Sequence, residues 1–202
     1  MKALHTLVMA VALSIILGGC MFINGISYSG LTPYIAAHGD KSVAIATYDQ
    51  RPYVVSGNKG PQFVGLKRNL DGIPFNVSTP NNVPLADEMS TSVARAFEAR
   101  GFHPSIVRVS YDKSRRAAQD LLQRRNAERM VMITLDEWKS DSYLNTGLEY
   151  DVKISVYDKN GTELAAASYK GDENIGKTPP PLAFQGMAEE WFSNPKIVAA
   201  LH

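Results

Sequence analysis

The chain has 202 residues, a formal net charge of +1, 45% hydrophobic and 20% charged side chains. Those proportions fit one folded domain with a sizeable core and speak against wholesale disorder. The near balance of 21 basic and 20 acidic residues lacks the basic excess of a nucleic-acid binder, and the single cysteine, Cys20, excludes an internal disulfide or a cysteine-based metal or redox pair.

The first stretch reads as a leader. Met1-Lys2 supplies a short positive start, and Leu7 to Leu17 is an apolar run interrupted only by Ser14. A run of that length suits a secretory signal better than a spanning helix. It ends in Leu17-Gly18-Gly19-Cys20, which resembles a bacterial lipobox. On that reading residues 1–19 are a signal peptide, cleavage falls between Gly19 and Cys20, and Cys20 carries lipid. Extending the run through Met21-Phe22-Ile23 makes an uncleaved anchor conceivable, but small Gly18-Gly19 favours cleavage. Each buried methylene of an acyl chain contributes about 0.8 kcal/mol, so the membrane becomes the first expected partner. Bacterial lipoproteins kept in the inner membrane usually carry Asp after the cysteine. Met21 stands there instead, which by resemblance favours the outer membrane.

Residues 20–41 read as a lipid-anchored tether, kept irregular by Gly25, Gly30, Pro33 and Gly39. Leu31, Tyr34 and Ile35 are its apolar residues, expected to pack on the domain. A single globular domain is expected over 42–202. Val43–Tyr48 is apolar on both faces, as a strand in the middle of a sheet would be. Asp49-Gln50-Arg51-Pro52 ends it. Residues 50–83 then hold four glycines and four prolines, with Phe63-Val64-Gly65-Leu66 the one brief extended piece.

A helix follows, with Asn82 as its expected cap, Pro84 in the first turn, and Leu85, Met89, Val93 and Phe97 on one stripe. Gly101 stops it. Ile106–Val109 reads as a second strand parallel to the first. Asp112 or Ser114 caps a second helix running to about Ala127, whose Arg115, Arg116, Arg124 and Arg125 are read as a solvated face rather than a lipid or phosphate site. Met130–Leu135, Leu148–Val156 and Glu163–Lys170 are three further strands, the last two joined at Asn160-Gly161. Phe184, Met187, Ala188 and Trp191 mark a third helix, and Asn194-Pro195 opens a short final turn. The expected fold class is α/β (α+β mixed), in the order β-α-β-α-β-β-β-α, with a mixed sheet and helices mainly on one face.

Several motifs dissolve on inspection. Gly171 to Thr178 matches G-x-x-x-x-G-K-T, but that loop needs a helix starting at its Lys-Thr, and Pro179-Pro180-Pro181 favour extended backbone there. Asp172 and Glu173 would also repel phosphate, so no nucleotide is expected. His38, His103 and His202 lack metal-ligand spacing, and no G-x-S-x-G elbow is present. No cofactor, metal or catalytic residue is assigned, and the chain is read as not an enzyme. Asp136, Glu137 and Asp141 are read as surface acids.

The better candidate is the loop after the first strand. Asp49, Arg51, Tyr53, Asn58, Lys59, Phe63, Lys67 and Arg68 mix charge and aromatic character where open sheets commonly place ligands. Against this stands a structural flap whose Tyr53, Phe63 and Phe75 cover a sheet face.

Taken together, the lipobox, Val43-Ala44-Ile45 leading into Asp49-Gln50-Arg51, and the helix–strand–helix and three-stranded meander resemble YajG-type bacterial lipoproteins. That resemblance implies a fold similar to the TolB amino-terminal domain and to lipoprotein activators of cell-wall synthases. It also implies a periplasmic setting and no catalysis. The expectation is therefore an outer-membrane lipoprotein that binds a protein or cell-wall partner in the periplasm. The alternative is a binder of a small ligand or lipid at residues 50–83.

Overall fold

A computed structural model describes residues 25–202. Cys20, Gly19 and the leader lie outside the described residues. The core is a seven-stranded mixed sheet organised on one long strand, β5 (Arg129–Ser142). Along one edge β5 pairs antiparallel with β6 (Thr146–Asp158), which in turn pairs antiparallel with β7 (Glu163–Gly176). Along the other edge two strands follow one another. β1 (Ser42–Asp49) runs parallel to residues 129–135, and β2 (Phe63–Arg68) runs parallel to residues 140–142. β3 (Pro74–Ser78) forms a hairpin with β2, and β4 (His103–Ile106) closes the other side, parallel to β1. The fold is a mixed α/β domain, as the element order predicts.

Burial explains the strand patterns. β1 is buried from Val43 to Asp49, because it lies between β4 and β5 with packed layers above and below. On the larger face, α2 (Leu85–Glu98), α4 (Pro180–Trp191) and α5 (Pro195–Leu201) cover Ile45, Val131, Ile133, Val152 and Ile154. Trp138 anchors this layer, meeting Tyr28, Phe184 and Trp191 edge-on at centroid distances of 6.3, 5.9 and 6.4 Å. The opposite face packs Ala44, Ala46, Met130 and Met132 under α3 (Arg115–Gln123), through Ala118 and Leu122. Three helices against one agrees with helices mainly on one face.

Several local expectations are corrected. Asn82 does not cap α2: it sits at φ +56 in a short 3-10 turn, and Pro84 holds the cap position. The first turn is met instead by the loop, through Leu85 N–H to Pro61 O at 3.0 Å. The paired part of β4 lies three residues earlier than Ile106–Val109. Pro104 falls within it, which is tolerated because β4 is an edge strand, where an N–H can be missing. Val107 and Val109 remain buried beyond it, against the α3 face. Residues 50–83 are not irregular throughout. They form α1 (Pro52–Val55) and the β2–β3 hairpin, whose mostly exposed β3 shows no apolar alternation. Ser114 caps α3 as expected, accepting from Ala117 N–H at 3.2 Å. Pro180 and Pro181 open α4 rather than continuing extended, while Gly171–Gly176 belong to β7. With three prolines offering no N–H, that helix start has few amides to turn toward a phosphate.

Of the expected tether, residues 25–41 lie against the domain. Tyr28, Ile35 and Ala37 are fully buried, whereas Tyr34 is exposed. The buried Glu88 carboxylate of α2 accepts Tyr28 N–H at 2.9 Å, Ser29 N–H at 2.8 Å and Ser27 Oγ at 3.0 Å. Glu88 thereby substitutes for a strand partner that this segment lacks.

Candidate functional site

The candidate residues gather where β5 passes from β1 to β2. β1 ends at Asp49 opposite Leu135, and β2 begins its pairing only at Ser140. β5 bulges between, with its register against β6 shifting from Leu135 to Glu137. Backbone groups of β5 in this gap need partners other than a neighbouring strand. Gln50 N–H donates to Leu135 O at 2.8 Å, Trp138 O accepts from the Arg51 guanidinium and the Tyr53 hydroxyl, and Trp138 N–H donates to Glu137 Oε1.

Arg51 is fully buried. Its Nε and Nη2 meet the two oxygens of Asp49 at 2.8 and 2.7 Å. Nη1 donates to Phe63 O at 2.6 Å and Trp138 O at 3.3 Å, and Nη2 also reaches Pro61 O at 3.2 Å. A guanidinium has five N–H donors, and each has an acceptor here. Burial works against the charge on Arg51, but the paired Asp49 carboxylate outweighs it and raises its pKa further. This is a fork that ties three backbone carbonyls to one carboxylate, with no donor left for a ligand.

Tyr53 covers the same junction. Its hydroxyl lies 2.6 Å from Glu137 Oε1 and 3.0 Å from Trp138 O, and burial pushes its pKa up. Its ring meets buried Phe63 edge-on at 5.5 Å. Lys59 sits 4.9 Å over that same Phe63 ring and donates to Asn76 Oδ1 at 2.7 Å. The structure thus brings Asp49, Arg51, Tyr53, Lys59 and Phe63 together. Arg68 lies at the far end of β2, in a bidentate pair with Asp141 at 2.9 and 2.6 Å. Asn58 and Lys67 are exposed and stand apart from both groups.

Glu137, expected to be a surface acid, and Trp138, assigned no role, complete the junction. The signal was the break from apolar to polar residues after Leu135. Asp136, Glu137 and Asp141 do not act as one acidic cluster: Glu137 turns to Tyr53, Asp141 to Arg68, and Asp136 is exposed. Among the described residues no three His, Cys, Asp or Glu side chains are placed to hold a metal ion. The arginines of α3 are exposed, with Arg115 turned back to Thr134 Oγ1 at 3.4 Å.

Beside the junction lies a cavity of about 360 Å³, at the carboxyl ends of β1 and β4. Asp49 and Pro61 line one side, Ala86 and Asp87 of α2 another, and Arg108 and Tyr111 a third. Asp87 and Arg108 pair across its mouth at 3.1 Å. Burial raises the Asp87 pKa, with Arg108 pulling the other way.

The chain matches no family model and no curated protein. Among solved structures it is similar to protein XCC0632 from Xanthomonas campestris, assigned to DUF330, at 13% identity over 85% of this chain and 91% of that one, with a TM-score of 0.48. It is also similar to the PelC dodecamer from Paraburkholderia phytofirmans, at 12% identity over 80% of this chain and 91% of that one, with a TM-score of 0.38. A third is lipoprotein GNA1162 from Neisseria meningitidis, at 18% identity over 76% of this chain and 96% of that one, with a TM-score of 0.34. One of these neighbours is a lipoprotein, and none of the three carries a YajG or TolB name. Likeness at these values bears on neither activity nor partner. No helix of the described residues is long and apolar enough to cross a membrane.

Proposed function

We propose that this chain is a lipoprotein anchored in the outer membrane through acyl chains on Cys20, and that it binds a protein partner in the periplasm without catalysis. The observation that carries the reading is β7. Over its whole length, Glu163–Gly176, this strand pairs only with β6 among the described residues. Its outer edge therefore presents backbone donors and acceptors in a row, with no proline to interrupt them. An extended segment of a partner can add there as a further strand, with affinity from main-chain hydrogen bonds. The leader and lipobox support the location. The use of Arg51, Tyr53 and Phe63 to hold the sheet together supports a binding scaffold in preference to a reactive site.

The test is site-specific photo-crosslinking in cells, from Ser168 and Asp172 on β7, both exposed. Discrete adducts from these positions, absent from Arg116 on α3, are expected. Silence at β7 in correctly exported protein removes the strand-addition reading.

A second reading rests on the cavity beside Asp49. Its mostly apolar walls and the Asp87–Arg108 pair at its mouth suit a small amphipathic ligand. Filling it by Ala86→Leu would abolish any such binding while leaving β7 adducts unchanged.

A further inference from the structure

Two turns at the far end of the sheet carry an unusual surface. The tip of the β2–β3 hairpin presents Leu70 and Ile73 from its turn and Phe75 from β3, and the neighbouring β5–β6 turn presents Tyr143 and Leu144. Leu70 is 95% exposed and Leu144 79%, and the other three are each more than half exposed. Single exposed apolar residues are ordinary, but five together on adjoining tips form a patch that marks an interaction site.

The tips are built, not loose. Asn69 Oδ1 accepts the N–H groups of Asp71 and Ile73 at 3.0 and 2.9 Å, and Gly72 takes the left-handed conformation at φ +80. Arg68 Nη1 donates to Gly72 O at 3.2 Å while its other nitrogens hold Asp141 on β5. Tyr143 donates its hydroxyl to Leu70 O at 3.0 Å, joining one turn to the other. Polar groups are thus spent on holding the turns, and the apolar side chains are left pointing out.

We infer that these paired tips rest in the interface of the same bilayer that holds the Cys20 acyl chains. This rests on the lipid-anchor reading above. Three observations select a bilayer over a protein. The patch is carried on two turns joined side by side by the Tyr143–Leu70 bond, a projecting pair of tips that a fluid interface accommodates. Tyr143 is a residue type favoured at headgroup depth, Phe75 suits the apolar side of an interfacial segment, and exposed Lys67 stands beside Phe75 within reach of phosphates. Asp71 at the turn limits the depth to the interface.

The third observation is reach. Gly25 packs against Thr79 and Pro80 so closely that no side chain fits, and Ile26 N–H bonds Ser78 O at 3.0 Å. Four residues, or five Cα–Cα steps, then separate Gly25 from Cys20, a contour of at most about 18 Å. From Ser78 back to the β2–β3 turn is a five-residue strand, about 17 Å. An anchor extended alongside β3 is thus long enough to let the tips reach the membrane surface.

The experiment uses the full chain, lipidated in a bacterial host and reconstituted into phosphatidylethanolamine–phosphatidylglycerol vesicles with brominated acyl chains. Trp138 and Trp191 are fully buried and give a protected background. Leu144→Trp and Leu70→Trp report on the tips, and Lys159→Trp, at the opposite end of β6, is the control. The tip tryptophans are expected to shift to the blue and lose most of their emission to bromine, while the control does neither. Unquenched tips in protein that retains a palmitate label overturn the inference alone, as does a blue shift without quenching, the mark of a protein cover. Loss of the palmitate label overturns the anchor reading, and this inference with it.

Discussion

Arg51 grips Asp49 through both carboxylate oxygens, at 2.7 and 2.8 Å, inside the sheet at the point where one neighbour of β5 replaces another. An ion pair in that place would ordinarily be a poor source of stability, because desolvation offsets the attraction. Here the guanidinium also donates to Phe63 O, and it shares Trp138 O with the Tyr53 hydroxyl and Pro61 O with the Leu85 N–H. Its value is to let two separate strands share one edge of β5.

Arg51→Met is therefore expected to destabilise the fold by about 3–5 kcal/mol, since it leaves Asp49 buried and uncompensated. Arg51→Lys should fail as well, because an ammonium cannot reproduce the planar fork. Urea unfolding measures both. A lysine variant as stable as the parent would show that the carbonyl contacts carry no weight.

Much of this architecture is readable in the sequence, but not the junction. β1 and β6 announce themselves by continuous and alternating apolar patterns, and α2 by its stripe, since these follow from which faces are buried. β2 and β3 hide because glycine and proline punctuate them and β3 faces solvent. Arg51 looks like a loop cation because its acceptors at Phe63 and Trp138 are distant in the chain. The same holds for Glu88, sixty residues from Tyr28. Periodicity reports burial of side chains; it carries no record of which orphaned carbonyl a buried charge will serve.

Glu88 should make docking of residues 25–41 pH-dependent. Burial raises its pKa, but the N–H groups of Ser29 and Tyr28 and the Ser27 and Ser29 hydroxyls outweigh that and lower it below the ordinary value. A carboxyl depressed in the folded state stabilises it above the unfolded pKa of about 4.3, and that contribution fades as pH falls through the folded value. Hydrogen-exchange protection factors at Tyr28 and Ser29 are expected to drop as pH falls through the depressed Glu88 value, ahead of those in β5. Glu88→Gln should lower them at neutral pH and flatten the profile. Equal protection at pH 3 and pH 7 would remove Glu88 from this role.

Gly65 tests how closely β2 must approach β5. A Cβ there would overlap the Ser140 backbone and Oγ, and φ at +155 already disfavours a side chain. Gly65→Ala is expected to cost roughly 1–3 kcal/mol through overpacking. Gly147→Ala, in the same sheet with open space around it, should cost far less. Thermal unfolding of the two variants side by side decides this. Equal losses would mean that the cost is one of backbone freedom, not of contact.

Cys20→Ser separates anchoring from folding. The described fold begins at Gly25, with its own backbone bond from Ile26 to Ser78 and the Glu88 contacts immediately after. None of these involves Cys20. The variant is therefore expected to keep its unfolding midpoint, lose palmitate labelling and move from the membrane to the soluble periplasmic fraction. Lipid attachment supplies most of the membrane affinity, at about 0.8 kcal/mol per buried methylene. The tips at Leu70 and Leu144 should then give only weak, reversible vesicle binding. If Cys20→Ser remains in the membrane at its full size, the apolar run from Leu7 onward is acting as an uncleaved anchor, and the lipobox reading fails.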